Sequence, residues 1–180
     1  MAEEFLDIVD ENNNLTGESA PRGKIHAEGT WHRTVHIYLF RRNNNEIEFL
    51  VHLRSPFKDL CSNCWDTRFG GHIKSGLTIE EGMKAELKEE IGLDVNSYKL
   101  IEGIWRKRDN VLNREFTKVY YLEYGGDLVD LKFNDGEVQR VKWMSVDDIK
   151  KSMINNFEEW SAGVAGFTEV SDYLIEKIKE

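Results

Sequence analysis

Three glutamates, Glu86, Glu89 and Glu90, fall close together in the stretch GGHIKSGLTIEEGMKAELKEEIGL. At about 100° per residue they gather on one flank of a helix, with Glu86 and Glu90 one turn apart. Like charges at this spacing repel, so the flank is either solvated or built around something positive. Hard cations such as Mg²⁺ take oxygen ligands and bridge carboxylates to substrate phosphates. The cluster suits a phosphate-linked metal site, and a solvated acidic face is the competing explanation.

The helix that must carry these glutamates is marked at both ends. Thr78 followed by Glu81 is a capping-box signature and Gly92 supplies a glycine stop, which predicts a helix from about Ile79 to Ile91. Its apolar residues Ile79, Met83, Leu87 and Ile91 recur every fourth position and form one buried stripe. Ahead of it, FLDIVD reads as a short strand followed by the turn-rich ENNNLTGE. WHRTVHIYLF and EIEFLVHLR, joined by RRNNN, read as a β-hairpin.

After the helix, YKLIEGIWRKR, FTKVYYLEY and EVQRVKWM are rich in β-branched and aromatic residues and continue the sheet. One closing helix follows Ser145, with Asp148 three residues on, and another spans TEVSDYLIEKIKE. Strands around one central helix, with further helices at the end, predict an α/β sandwich with a mixed sheet. No Pro/Gly/Ser-rich linker divides the chain, so one domain over residues 1–180 is expected.

Composition narrows the function. The 24 basic and 33 acidic residues give a formal charge of −9, which argues against a sequence-independent nucleic-acid binder or a basic membrane-surface protein. No segment approaches the roughly 20 apolar residues of a membrane span, and MAEEFLDIVD lacks the basic and apolar regions of a signal peptide. A soluble, cytoplasmic protein is expected. Cys61 and Cys64 form one CSNC with no second pair at zinc-finger spacing, so two reduced thiols on a loop are expected. The alternative is half a zinc site completed across a dimer. His32 and His36 share a strand face by the period of two, a position where a histidine is more often a packing residue than a ligand; His52 receives no role.

The glutamate stretch resembles the Nudix box, Gx5Ex7REUxEExGU with U apolar. Gly71, Glu86, Leu87, Glu89, Glu90, Gly92 and Leu93 stand at their places, while Leu77 and Ala85 replace a Glu and an Arg that support the loop–helix structure. The resemblance implies a Nudix-type α/β/α sandwich and a Mg²⁺-dependent hydrolase, with Mn²⁺ as the alternative ion. Glu86, Glu89 and Glu90 would be metal ligands and Glu89 and Glu90 catalytic; Glu137 is a further candidate base, or a residue that holds its local loop. Gly70 and Gly71 would let the backbone bend and approach the metal.

DIVDENNNLTGE, HAEGTWHRTVHIYLF, LRSPFKD, CWDTRFGGH and NDGEVQRVKWM are similar, in order, to segments of the isopentenyl-diphosphate isomerase-like branch. That resemblance implies a second metal site at His26, His32, His72 and Glu115, although the interval from His26 to His32 is one residue short and Asn113 stands where another carboxylate is expected. It also implies that Arg54 and Lys58 bind the diphosphate of a small-molecule substrate, that Trp160 shapes the pocket, and that a homodimer is compatible with the chain. The isomerase's catalytic Cys is Gly70 here. Without that thiol, proton-transfer chemistry lacks one of its acid/base groups, so cleavage of a diphosphate linkage in a nucleoside diphosphate-type substrate is the expected reaction. A delta-isomerase-like enzyme and a catalytically weak nucleotide sensor are the alternatives.

Overall fold

The computed structural model describes residues 3–44, 46–57, 61–133 and 136–179. The helix expected around the glutamates is present as α2, Ile79–Ile91. Thr78 Oγ1 accepts from the Glu81 amide, Glu81 returns a bond to the Thr78 amide, and Gly92 closes the helix in the left-handed region at φ 70°. A cap of this kind contributes about 1 kcal/mol. Met83, Leu87 and Ile91 are fully buried.

The strands are β1 (Phe5–Val9), β2 (Leu15–Pro21), β3 (His32–Asn43), β4 (Glu46–Arg54), β5 (Trp65–Asp66), β6 (Leu100–Asn110), β7 (Asn113–Glu123) and β8 (Val138–Ser145). β1 and β2 pair separately; the other six form one sheet in the order β5-β4-β3-β7-β6, with β8 along β4. β3 and β7 run parallel and the remaining ladders are antiparallel, so the sheet is mixed. Alternation along β3 divides the core. Val35, Ile37 and Leu39 pack against α2, whereas Tyr38 and Phe40 meet α3 (Val146–Asn155) and α4 (Val164–Lys177) through Ile149, Phe167 and Val170. The result is the α/β/α sandwich.

β3 stays beside β4 only from Phe40↔Phe49 to Asn43↔Glu46. Into the widening gap runs the segment after β5: Ile37 exchanges backbone bonds with Phe69, and the Val35 amide donates to the Gly71 carbonyl. This insertion sets Gly70, Gly71 and His72 beside β3 and delivers the chain to α2.

Three elements depart from the sequence reading. The turn is confined to Asp10–Asn14, where the Asp10 carboxylate accepts from the Asn12 and Asn14 amides, and β2 begins at Leu15. A short helix, α1 (Arg22–Glu28), then ends at Gly29. The last helix starts at Val164, four residues before TEVSDYLIEKIKE. Among the described residues no helix is long and apolar enough to cross a membrane.

Candidate active site

α2 holds the three glutamates in different settings. Glu86 is half-buried against the incoming loop, where a Cβ on Gly71 would lie 2.9 Å from Glu86 Oε2, so the glycine makes room for this carboxylate. Burial, reinforced by the charge of Glu89, pushes the Glu86 carboxyl up to about 7, and Glu4 and Glu137 add to the negative field. Glu89 is exposed and receives Lys74 Nζ at 2.9 and 3.0 Å on its two oxygens. Glu90 accepts the Gly70 amide on Oε2 at 2.7 Å.

The histidines converge more tightly. His26 comes from α1, His32 from the start of β3 and His72 from the inserted segment, and one ligand atom of each lies within 4.8 Å of the others. His26 Nε2 and His72 Nε2 are 3.0 Å apart. His32 Nδ1 meets the Thr30 carbonyl at 2.9 Å; a carbonyl only accepts, so Nδ1 carries the proton and Nε2 keeps its lone pair. That Nε2 is buried without a hydrogen-bond partner. Burial lowers the pKa of all three rings, that of His72 to about 2 with further help from Arg22. They are therefore neutral at pH 7, the state that ligates metals.

Glu115, on β7 directly across from His32, is buried beside this cluster. Burial pushes its carboxyl up, against the pull of Arg108, whose Nη1 lies 3.3 Å from Oε1. Asn113 has its Oδ1 buried without a partner. Among the described residues the histidines are the one place where three metal-ligand atoms approach so closely; Glu86, Glu89 and Glu90 are spread wider.

Arg54 is drawn to the β5 end, where Nη1 lies 3.6 Å from Asp66 Oδ2 and Nε donates to the Cys61 carbonyl at 3.2 Å. Lys58 lies outside the described residues. Trp160 does not stand free as a stacking surface: it is 6% exposed, packs in the core under α3 and α4, and donates its indole N–H to Ser152 Oγ at 3.0 Å. Cys61 and Cys64 are both reduced.

A family model of the NUDIX domain matches residues 30–164, from just before β3 to the first residue of α4. This chain belongs to the Nudix hydrolase family. It is 33% identical over 162 residues to an uncharacterized Nudix hydrolase of Clostridium acetobutylicum, covering 88% of this chain and 78% of the relative. It is 27% identical to an isopentenyl-diphosphate Delta-isomerase 2 of Photorhabdus laumondii, over 86% of this chain and 84% of that protein. Among solved structures, the fold matches that of DR0079 from Deinococcus radiodurans with a TM-score of 0.71 at 23% identity, covering 89% and 93% of the two chains.

The backbone of this Nudix hydrolase bears directly on position 70. Gly70 has φ +107°, and a Cβ there would meet the Val35 carbonyl oxygen at 2.5 Å and Ile37 Cδ1 at 2.8 Å. The conformation and the space both reject a side chain, a thiol included. Gly70→Ala is expected to destabilise the hydrolase by about 1–3 kcal/mol in urea unfolding. An unchanged midpoint would show that the loop shifts freely to accept a Cβ.

The sequence reading missed the charged residues that reach these glutamates from elsewhere. Lys74 reaches Glu89 from the inserted segment, and Glu4 approaches Glu86 from the N-terminal strand region. Neither stands in a periodic or spaced pattern that would single it out. The Asp66–Arg68–Ser161 cluster is similarly tertiary. Arg68 grips Asp66 with Nε and Nη2 at 2.8 and 2.9 Å, and Ser161 Oγ donates to the same carboxylate at 2.6 Å. Only the x-D-x-R spacing hinted at it.

Proposed function

We propose that this Nudix hydrolase cleaves a diphosphate linkage in a nucleoside diphosphate-type small molecule with Mg²⁺ held by Glu86, Glu89 and Glu90. The observation that carries the reading is the all-carboxylate flank of α2, with Glu86 fitted into the space that Gly71 leaves. Oxygen donors alone suit a hard cation. When bound, Mg²⁺ supplies positive charge to the diphosphate oxygens and makes the attacking water more acidic.

The chain's own groups do the rest. The Gly70 amide holds the Glu90 carboxylate, which supports Glu90, ahead of Glu89 and Glu137, as the group that takes a proton from water. Lys74 neutralises part of the charge on Glu89, which lowers the repulsion that three adjacent carboxylates exert on an anionic substrate. Arg54 and Lys58 would bind diphosphate oxygens, for which a guanidinium fork and an ammonium are suited. A nucleotide-like substrate is in keeping with the fold match, at TM-score 0.58 and 15% identity, to the NUDIX domain of Shewanella oneidensis NrtR, which was crystallised with ADP ribose.

A second cation site at His26, His32 and His72, with Glu115 beside it, is favoured by the unpartnered His32 Nε2 and the close His26–His72 pair. Co²⁺ titration of the metal-free protein should give the visible absorption of a nitrogen-ligated ion, lost in His72→Ala. An unaltered spectrum in that variant would remove the site. The isomerase-like relatives keep allylic isomerisation as the second reading, but Gly70 offers it no thiol.

The reaction is tested by incubating the protein with nucleoside di- and triphosphates, nucleotide sugars, dinucleotides and prenyl diphosphates, with Mg²⁺, with Mn²⁺ and with chelator. Release of phosphate or monophosphate that chelator abolishes is expected. Silence across the panel with nucleotide binding intact would favour a sensor, and conversion of isopentenyl to dimethylallyl diphosphate would establish the isomerase.

A further inference from the structure

The sheet face opposite α2 carries a second concentration of chemistry. Along β3 the residues on this face run His32, Thr34, His36, Tyr38, with Thr34 bonded to Thr117 of β7 and His32 in the histidine cluster. Beyond that cluster lie two adjoining cavities of about 220 Å³ each, which share Arg68, Arg106 and Arg108 as walls. Three guanidinium groups around one hollow are unexpected in a chain of net charge −9.

Each arginine is partly engaged. Arg68 is spent on Asp66 and Ser161, but among the described residues Arg106 pairs with Glu169 through Nε, at 3.1 Å, and Arg108 with Glu115 through Nη1, at 3.3 Å. A guanidinium has five N–H donors, so Arg106 and Arg108 retain several that could meet an anion. Gly163 and Gly166, at the start of α4, line the same hollow. Gly163 caps α4 without a side-chain acceptor for the first-turn amides, and the missing side chain of Gly166 lets the Arg106 guanidinium lie over that turn. His36 closes the floor, with Nδ1 buried and unpartnered. Oxyanions are stabilised by such a combination of guanidinium forks and helix-start amides.

We propose that this cleft is a phosphate subsite, which receives a phosphate monoester carried by the substrate at the end away from the scissile diphosphate. Glu115 joins it to the cluster: it lines the cavity, pairs with Arg108 and stands across from His32. The inserted segment links the two regions, with Gly71 against Glu86 and its neighbour His72 in the histidine cluster, so a substrate spanning them would meet carboxylates at its diphosphate and arginines at its far end. The word substrate rests on the hydrolase reading; the anion site itself does not.

Inorganic phosphate, titrated calorimetrically in the presence of chelator, is the first probe. The wild-type protein should bind it, and Arg106→Gln should weaken binding at least about tenfold. Arg106 is the residue to change because the partner it leaves, Glu169, is 52% exposed and rehydrates. Arg41→Gln, beyond the cleft on the Glu48 side of the sheet, should bind as wild type. Equal affinity in Arg106→Gln, or no binding by the wild type at millimolar phosphate, would overturn the subsite. The second readout is the ratio of kcat/KM for a nucleoside 5′-diphosphate with a 3′-phosphate to that for the same compound without it. Arg106→Gln should lower this ratio about tenfold, and an unmoved ratio would sink the substrate role. Arg106-dependent phosphate binding with no turnover of any diphosphate would uphold the subsite and refute the hydrolysis instead.

Discussion

Glu90→Gln is expected to lower kcat of the metal-stimulated hydrolysis by about 10²–10⁴-fold, the range for loss of a positioned proton acceptor, while the unfolding free energy stays within about 0.5 kcal/mol of wild type. The two halves of the prediction come from one hydrogen bond. Glu90 Oε2 accepts the Gly70 amide, and the carbonyl oxygen of a glutamine can accept it as well. The substitution therefore keeps this tie between helix and loop while it removes the charge and basicity. Initial rates over a range of Mg²⁺ concentrations, paired with urea unfolding, measure both. Activity near that of wild type with the fold intact would take Glu90 out of the chemistry and leave Glu89 or Glu137 as the acceptor.

Asp66→Ala is expected to cost up to about 3–5 kcal/mol of stability, because it strands a largely buried guanidinium, whose side chain is 20% exposed. The Asp66 side chain is 2% exposed; it accepts from the Arg68 guanidinium twice, from the Arg68 amide and from Ser161, and lies 3.6 Å from Arg54. Burial opposes its ionisation, yet Arg68 outweighs that penalty and holds the carboxyl well below the usual carboxylate range. A depressed folded-state pKa gives stability that is fully present above the unfolded value of about 3.9 and is lost as pH falls through the folded value. The gap between wild type and Asp66→Ala in guanidinium unfolding should thus be level from pH 5 to 7 and narrow in stronger acid. Asp66→Ala with Arg68→Met should recover part of the loss, since an apolar pair leaves no buried charge. A single variant within 1 kcal/mol of wild type would mean that water reaches Arg68.

Much of this was legible before any coordinates. α2 declared itself through Thr78, Glu81 and Gly92, and its observed bounds are those read from the sequence. The β3–β4 hairpin, β6, β7, β8 and the helix capped by Ser145 also followed from alternation and caps. What escaped lacked a periodic signal. β2 is almost wholly exposed, and α1 buries only Ile25, so neither shows an apolar repeat. His26 rides on α1, which is why its approach to His32 and His72 could be raised only by resemblance. Arg54 and Trp160 were ligand contacts implied by resemblance, but the sequence could not reveal Asp66 and Ser152 as the partners that engage them.

The missing space at position 70 also constrains how this chain could change its chemistry over generations. Two of the four glycine codons differ from a cysteine codon by a single base, so a thiol next to Gly71 and His72 is one or two base changes away in a gene. It is much further away in the protein. The Val35 carbonyl and Ile37 would first have to yield, and the Gly70 amide would have to keep its hold on Glu90 while the backbone left φ +107°. In this chain a thiol at position 70 therefore requires a loop rearrangement that also disturbs the glutamate helix. That coupling makes the step costly to reverse and would keep the two chemistries apart among proteins that otherwise share this frame.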